Sequence, residues 1–370
     1  MAQKFPFKSE QKPWAAGSTV EFFDFVPTRG PEGGRVVIDS LTLCLVGTLT
    51  VGTAEFDGRD VPRLFQNVVV ESRSGRQRRN LSGHKLRLAG IEALGIERWF
   101  EHGNVAVGAS QAIDLRLQVP LEQPHYKRPR DFSMPADVLK KVSITCNSLS
   151  SAATGTAVLS AASLQIYVLA SWHEEDSVEF KTEDRITSVD FTSANELRFS
   201  TQGAVHGLLV HKENTTAGGG ASVTGIVDGR IEDLGTPTLT RQDYVLEYSR
   251  DRALGNTAYG DGGTLGGERY LDPVREGKVM PLIFAAQGAS VRDGRVVETM
   301  KVTLSGSVSG LSAIVREVLP HDQGTFNATA ARFGVDAATL RVKTAAKSKR
   351  APAGWGSRDL SVLPFSAPLK

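Results

Sequence analysis

Residues 140–172, KKVSITCNSLSSAATGTAVLSAASLQIYVLASW, carry no acid or base after Lys141. β-Branched residues there alternate with Ser, Thr and Ala and break at small, turn-forming residues. That pattern predicts strands with one face buried against a second sheet. Residues 300–319, MKVTLSGSVSGLSAIVREVL, repeat the character of that stretch. A helix is disfavoured in both, because Ser and Thr compete for backbone hydrogen bonds and Gly155, Gly306 and Gly310 would each cost ~1 kcal/mol in a helix interior. Lys141-Val142-Ser143-Ile144-Thr145 is echoed by Lys301-Val302-Thr303-Leu304-Ser305. The echo predicts two copies of one β-rich unit.

Taken in order, residues 18–26 read as extended and 27–34 as a turn cluster. Residues 36–51 give the clearest strand, with Leu41, Leu43 and Leu45 on one face and Thr48 and Thr50 beyond Gly47, where the pattern predicts a bulge or a break between two strands. An apolar run at 64–70 precedes a turn with four arginines, SRSGRQRR at 72–79. Such a turn is either a solvated hairpin tip, an ion-pair donor between subunits or, less favoured, a phosphate contact. Residues 82–94 predict a short helix closed by Gly95, with Leu88, Ile91 and Leu94 at intervals of three. Residues 113–119 alternate, with Asp114, Arg116 and Gln118 facing out. Pro120, Pro124, Pro129 and Pro135 make the following segment a loop.

The acidic run His173-Glu174-Glu175-Asp176 breaks the apolar pattern where the repeat restarts, and sets the boundary between units. The second unit predicts strands at 187–191, 197–200, 204–211, 279–286 and 298–304, with a last strand ending near 319. Two glycine-rich loops interrupt it, at 213–229 and 256–267. Thr240-Arg241-Gln242-Asp243 resembles a capping box, with Leu239 and Tyr244 as a hydrophobic staple, and predicts a short helix through about Arg250. Four segments result: an N-terminal arm at 1–17, a first unit at 18–175, a second at 176–320 and an extension at 321–370. The extension carries a short helix near 336–342 and a basic tail rich in Ala and Pro.

Composition narrows the function classes. With 40% hydrophobic and 23% charged residues, the 370-residue chain buries a core and reads as soluble and globular. The net charge of +2 supplies no global field toward nucleic acid or acidic lipid, so either partner requires a local patch. Cys44 and Cys146 lie in apolar strand-like runs and read as buried thiols of a reducing compartment rather than a disulfide pair. No signal peptide and no membrane-spanning run is expected.

A search for chemistry finds no catalytic constellation. His173-Glu174-Glu175 has Ser177 where a second metal-binding histidine would stand, and Gly306-Ser307-Val308-Ser309-Gly310 has valine at the nucleophile position of an elbow. Ser9–Lys12 and Ser82–Lys85 fit an SxxK spacing that is common by chance. Neither glycine-rich loop ends as a phosphate-binding loop does. The acid pairs Asp228 with Asp233 and Glu174 with Asp176 would serve a glycosidase only at a suitable separation, and surface carboxylates are the commoner outcome. Two basic features are candidate contact sites. One is the N-terminal arm with Lys4, Lys8, Lys12 and Trp14, facing a membrane or a neighbouring subunit. The other is the tail with Arg341, Lys343, Lys347, Lys349 and Arg350, where each charge contributes ~1 kcal/mol near an anionic surface.

With its paired strand starts, two apolar hairpin stretches and a short helix in each half at Ser82 and Thr240, the chain resembles the double jelly-roll major capsid proteins of tailless, membrane-containing icosahedral bacteriophages, the tectivirus-like group. The resemblance spans residues 18–320. It implies an all-β fold of two tandem eight-stranded jelly-roll β-sandwiches with short helices and a C-terminal extension. It implies a homotrimer forming a pseudo-hexagonal capsomer, with loops 213–229 and 256–267 as outward towers and the arm turned inward. The partners implied are neighbouring capsomers, penton and minor capsid proteins and an internal lipid membrane, with no sequence-specific nucleic acid. No cofactor or metal is implied, the location is the virion after synthesis in the host cytoplasm, and the protein is not an enzyme. Closed sandwiches leave few free edges, and a near-neutral chain packs beside copies of itself without strong repulsion. A glycan- or receptor-binding β-sandwich is the second reading, though only 7% of residues are aromatic. A carbohydrate-active enzyme on a jelly roll is the third.

Overall fold

The computed structural model describes residues 5–94, 100–122, 129–175, 182–193, 195–212, 222–223, 226, 228–231, 239–240, 279–284, 299–305 and 310–319. Its strands fall into two sets with the same internal order. The first set runs β1 (Phe7–Lys8), β2 (Lys12–Pro13), β3 (Thr19–Phe23), β4 (Arg35–Gly52), β5 (Phe65–Ser72) and β6 (Gln77–Leu81). After helix α1 (Gly83–Leu94) come β7 (Phe100–Glu101), β8 (Gly108–Pro120), β9 (Met134–Pro135) and β10 (Leu139–Cys146), then the short α2 (Leu149–Ala152) and β11 (Val158–Glu175). The second set is β12 (Asp184–Asp190), β13 (Glu196–Ser200), β14 (Ala204–Lys212), β15 (Asp228–Ile231), β16 (Leu239–Thr240), β17 (Val279–Ile283), β18 (Thr299–Leu304) and β19 (Leu311–Val318).

In the first set one sheet is ordered β1-β11-β4-β8-β7, and β3-β10-β5-β6 face it. In the second, β12-β19-β14-β17 and β13-β18-β15-β16 repeat those orders, with no counterpart to β7 among the described residues. Each set is a sandwich because its strands alternate: in β10, Val142, Ile144 and Cys146 are buried, while Lys141 and Thr145 lie on the other face. The sequence echo therefore lands on equivalent strands, β10 and β18. The equivalence reaches their partners. Ser143 faces Glu21 of β3 and Thr303 faces Glu196 of β13; Val142 faces Phe22 and Val302 faces Leu197, all four buried. Even an outward ion pair recurs, Lys141 with Glu21 and Lys301 with Glu196.

The two sandwiches are joined through one continuous eight-stranded sheet, in which β6 of the first pairs in parallel with β12 of the second. Two hydrophobic cores lie on either side of this arrangement. The larger gathers the first unit and reaches across to Ile186, Leu209, Val279 and Ile314 of the second. The smaller, with Leu197, Val210, Met280 and Val302, belongs to the second unit alone.

Several expectations are corrected. At Gly47 strand β4 runs on unbroken for 18 residues. The glycine is required all the same, since its φ is +140° and a Cβ there would stand 2.1 Å from the Ser163 carbonyl oxygen of β11. The Arg-rich stretch at 72–79 divides: residues 73–75 form an exposed hairpin tip between β5 and β6, whereas Arg78 and Arg79 stand on β6 and are 1% exposed. Thr240 is the last residue of β16, and residues 241–250 of the expected helix lie outside the described residues. So do most of loop 213–229, all of loop 256–267, the 175/176 boundary beyond Glu175, and the extension at 321–370. The helix expected at 82–94 is α1, capped by Ser82, whose Oγ accepts from the Lys85 amide at 3.3 Å. That cap accounts for the serine of the Ser82–Lys85 spacing.

Candidate functional site

The N-terminal segment is built into the first sandwich from residue 5 onward. Phe7 and Lys8 pair with Ala170 and Leu169 on β11, and Lys12 and Pro13 pair with Ile166 and Gln165. Phe7 stacks on Trp172 with centroids 4.7 Å apart, and the Trp172 indole donates to the Phe5 carbonyl at 3.0 Å. Of the four residues expected at an arm contact, Trp14 is taken up by the chain itself: it is buried in the larger core and its indole donates to the Leu64 carbonyl at 3.2 Å. An indole with one polar atom is more stable buried with a partner than exposed, which is why this aromatic turns inward. Lys8 lies 4.4 Å above the Tyr167 ring, and Lys12 pairs with Glu10 at 2.7 Å and donates to the Glu21 carbonyl at 2.8 Å. Lys4 lies outside the described residues, as do Arg341, Lys343, Lys347, Lys349 and Arg350.

Large apolar side chains remain exposed at Phe5 and Phe23, the former 81% accessible. Phe23 stands on β3, the last strand of the eight-stranded sheet, whose outer edge is unpaired among the described residues. An open edge bearing an exposed phenylalanine is a surface on which another chain can settle. The sequence signal for it was the Glu21-Phe22-Phe23 run, one aromatic of which must face out in a strand.

The join between sandwiches is the most tightly built polar feature. Asp184 of β12 receives Arg79 at 2.9 Å on one carboxylate oxygen and Arg78 on the other. Arg78 also donates to the Phe132 carbonyl at 2.9 Å, and Arg79 to the Pro120 carbonyl at 2.7 Å. Burial alone would raise the Asp184 pKa; Arg79 and Arg78 overcome this and hold it below the ordinary carboxylate range. At the rim Arg76 pairs with Glu183 at 2.8 Å, while Arg73 binds Asp24 at 2.9 Å. All four arginines of the turn are thus engaged within the chain, and three of them, Arg76, Arg78 and Arg79, fix one sandwich against the other, while Arg73 stays within the first.

At the far end of β11, His173 lies between Asp39, 2.8 Å away, and Glu175, 3.3 Å away. These hydrogen bonds, Asp39 first, raise its pKa to about 9. Glu174 accepts from the Gly34 amide at 3.1 Å, so the acidic run ties down a turn instead of facing a substrate. Asp176 and Asp233, half of each suggested carboxylate pair, lie outside the described residues. Among the described residues no group of three or more His, Cys, Asp or Glu is placed to hold a metal, and no helix is long and apolar enough to cross a membrane. Cys44 and Cys146 are buried free thiols, as their apolar settings suggested.

No family model matches this chain, and no curated protein matches its sequence. Solved structures do match its fold. The STIV major capsid protein superposes with a TM-score of 0.55 at 11% identity, over 85% of this chain and 96% of that one. A chain of the Sulfolobus Turreted Icosahedral Virus structure gives 0.51 at 13% identity, over 94% of this chain and 99% of that one. The major capsid protein of bacteriophage PM2 gives 0.51 at 12% identity, over 86% and 98%. The likeness is one of fold: this chain is a double jelly roll, and it spans nearly the whole length of each of these chains.

Proposed function

We propose that the chain is the major capsid protein of an icosahedral virus, a structural protein that self-associates into trimeric, pseudo-hexagonal capsomers and through them into a shell. The observation that carries this reading is the fold, two jelly rolls in tandem over nearly the full length of viral capsid proteins. The rigid join supports it. Two sandwiches locked through a shared sheet and the Arg78–Asp184–Arg79 cluster form one block, and a tile with six similar sides needs its two lobes in fixed relation. The exposed edge at β3, with Phe23, is the face we assign to a neighbouring copy. Lys4 and Lys8 at the N-terminal end, and the basic extension, are assigned to an internal membrane or to adjacent capsomers. The units at 18–175 and 176–320 are the two lobes of the tile. Loops 213–229 and 256–267 are its outward projections.

Negative-stain electron microscopy of the purified chain, concentrated stepwise, tests this reading. Pseudo-hexagonal tiles, sheets or closed shells are the expected images. Dispersed single molecules at every concentration would contradict it.

A further inference from the structure

The join between the sandwiches is a contact between unlike faces. The first unit contributes α1 and the outer edge of β6, and the second contributes the edge of β12 and the outer face of its β12-β19-β14-β17 sheet. Leu86 and Ala89 of α1 share one core with Ile186, Leu209 and Ile314 of that face. Such a contact is heterologous, so repeating it between copies leads from one chain to the next instead of pairing two chains through one shared patch.

The first unit carries the counterpart of the covered face. Its β1-β11-β4-β8 sheet matches β12-β19-β14-β17 in order, yet its outer face forms the wall of the molecule. Ser163 and Gln165 of β11 are exposed there, opposite half-buried Thr48 and Val46 of β4. Residues 40–54 and 142–172 carry no charge, and the two that β8 adds, Asp114 and Arg116, pair with each other at 3.2 Å. Depletion of charge marks the centre of a protein interface. Three of the four large apolar side chains exposed among the described residues border this sheet: Phe5 just before β1, Val107 just before β8 and Val158 at the start of β11.

The free edges match in the same way. Inside the chain β6 pairs in parallel with β12; by strand order β6 corresponds to β16, and β12 to β1. Both β16 and β1 end their sheets, with no outer neighbour among the described residues. At about 3.3 Å per residue and about 4.8 Å between strands, β4, β8 and β11 together span roughly 800 Å², the area one partner gives to a standard interface.

We infer that the outer face of β1-β11-β4-β8 seats the second unit of another copy, docked as the two units are joined within one chain, with β16 of one copy running parallel to β1 of the next. Each copy then offers one seat and fills one. Resting on the capsomer reading, this seat supplies the surfaces that close its ring. The β3 edge lies on the opposite sheet and takes no part in it.

Light scattering after size exclusion, on the full chain and on the double variant Thr48→Arg/Ser163→Arg, tests this. The two positions face each other across β4 and β11 on the outer side, so the far-UV circular dichroism of the parent is expected to persist. The variant is expected to fall apart into monomers, its dissociation constant raised about a hundredfold or more, while Ser200→Arg on β13 keeps the parent's mass. A second measurement needs no disrupted surface. In a Lys8→Cys/Thr240→Cys chain, a short bismaleimide is expected to link copies into a ladder of up to three chains on a denaturing gel, which neither single variant gives. An assembled parent whose mass survives the arginine pair, or an assembled double-cysteine chain that does not cross-link, would overturn the assignment and leave the capsomer reading standing. A parent that stays monomeric would overturn both.

Discussion

Strands β11 and β19 hold the same place in the two sandwiches, β11 between β1 and β4 and β19 between β12 and β14, yet they meet different surroundings. In β11 exposed positions such as Ser163, Gln165 and Ser171 alternate with buried ones such as Leu164, Ile166 and Ala170. All eight residues of β19 are buried. Its Leu311, Ala313 and Val315 face the second core, while Ile314 belongs to the larger core that α1 carries across from the first unit. The second unit's sheet is thus a middle layer with a core on each face, and the first unit's equivalent is an outer wall. One topology used twice does not imply one environment. What differs is the neighbour that each copy leans against.

The largest effect is expected where that leaning is electrostatic. Asp184→Ala would leave Arg78 and Arg79 buried without their carboxylate and is expected to destabilise the chain by roughly 3–5 kcal/mol, read from chemical unfolding. In β19, Ile314→Ala is expected to cost about 2–5 kcal/mol by opening a cavity between the two cores. In β11, Gln165→Ala is expected to stay within about 0.5 kcal/mol of the parent. Equal costs at the two strands would break the comparison.

Titration separates the two regions next. His211 of β14 lies buried beside Ser312 with its pKa pushed down to about 3, chiefly by burial, then by Lys85 and Arg63. Its folded pKa is below its unfolded one, so the unfolded chain binds the extra proton, and stability present above pH ~6.5 falls by about 1.4 kcal/mol per unit as pH drops toward 3. His84, lowered by burial first, adds to the same acid loss. His173 in the first unit behaves oppositely. Its folded pKa of about 9 exceeds the unfolded value, so its contribution is fully present below pH ~6.5 and is lost as pH rises through 9. His211→Gln is expected to flatten the acid limb and His173→Gln the alkaline limb of a plot of unfolding midpoint against pH. The reverse assignment would contradict the geometry. A small effect is also expected elsewhere on the outer wall: breaking the exposed Arg116–Asp114 pair with Asp114→Ala is expected to change stability by no more than about 1 kcal/mol.

The all-β class and the internal duplication were legible because alternation survives wherever one face of a strand is wet. The pentapeptide echo pointed to strands that proved equivalent down to their partners, Glu21 and Glu196. Legibility failed where long-range contacts override local pattern. Trp14 sits among lysines and phenylalanines that read as an exposed arm, and only the fold shows the Leu64 carbonyl waiting for its indole. Arg78 and Arg79 read as a solvated turn because their acid lies more than a hundred residues away. Gly47 resembled a break, since nothing local reveals how closely Ser163 approaches.

Light scattering on the size-excluded native chain, over a range of concentrations, tests the capsomer account most directly. The expected result is a mass three times that of the 39.8 kDa chain, holding on dilution. A monomer that persists at every concentration would contradict it.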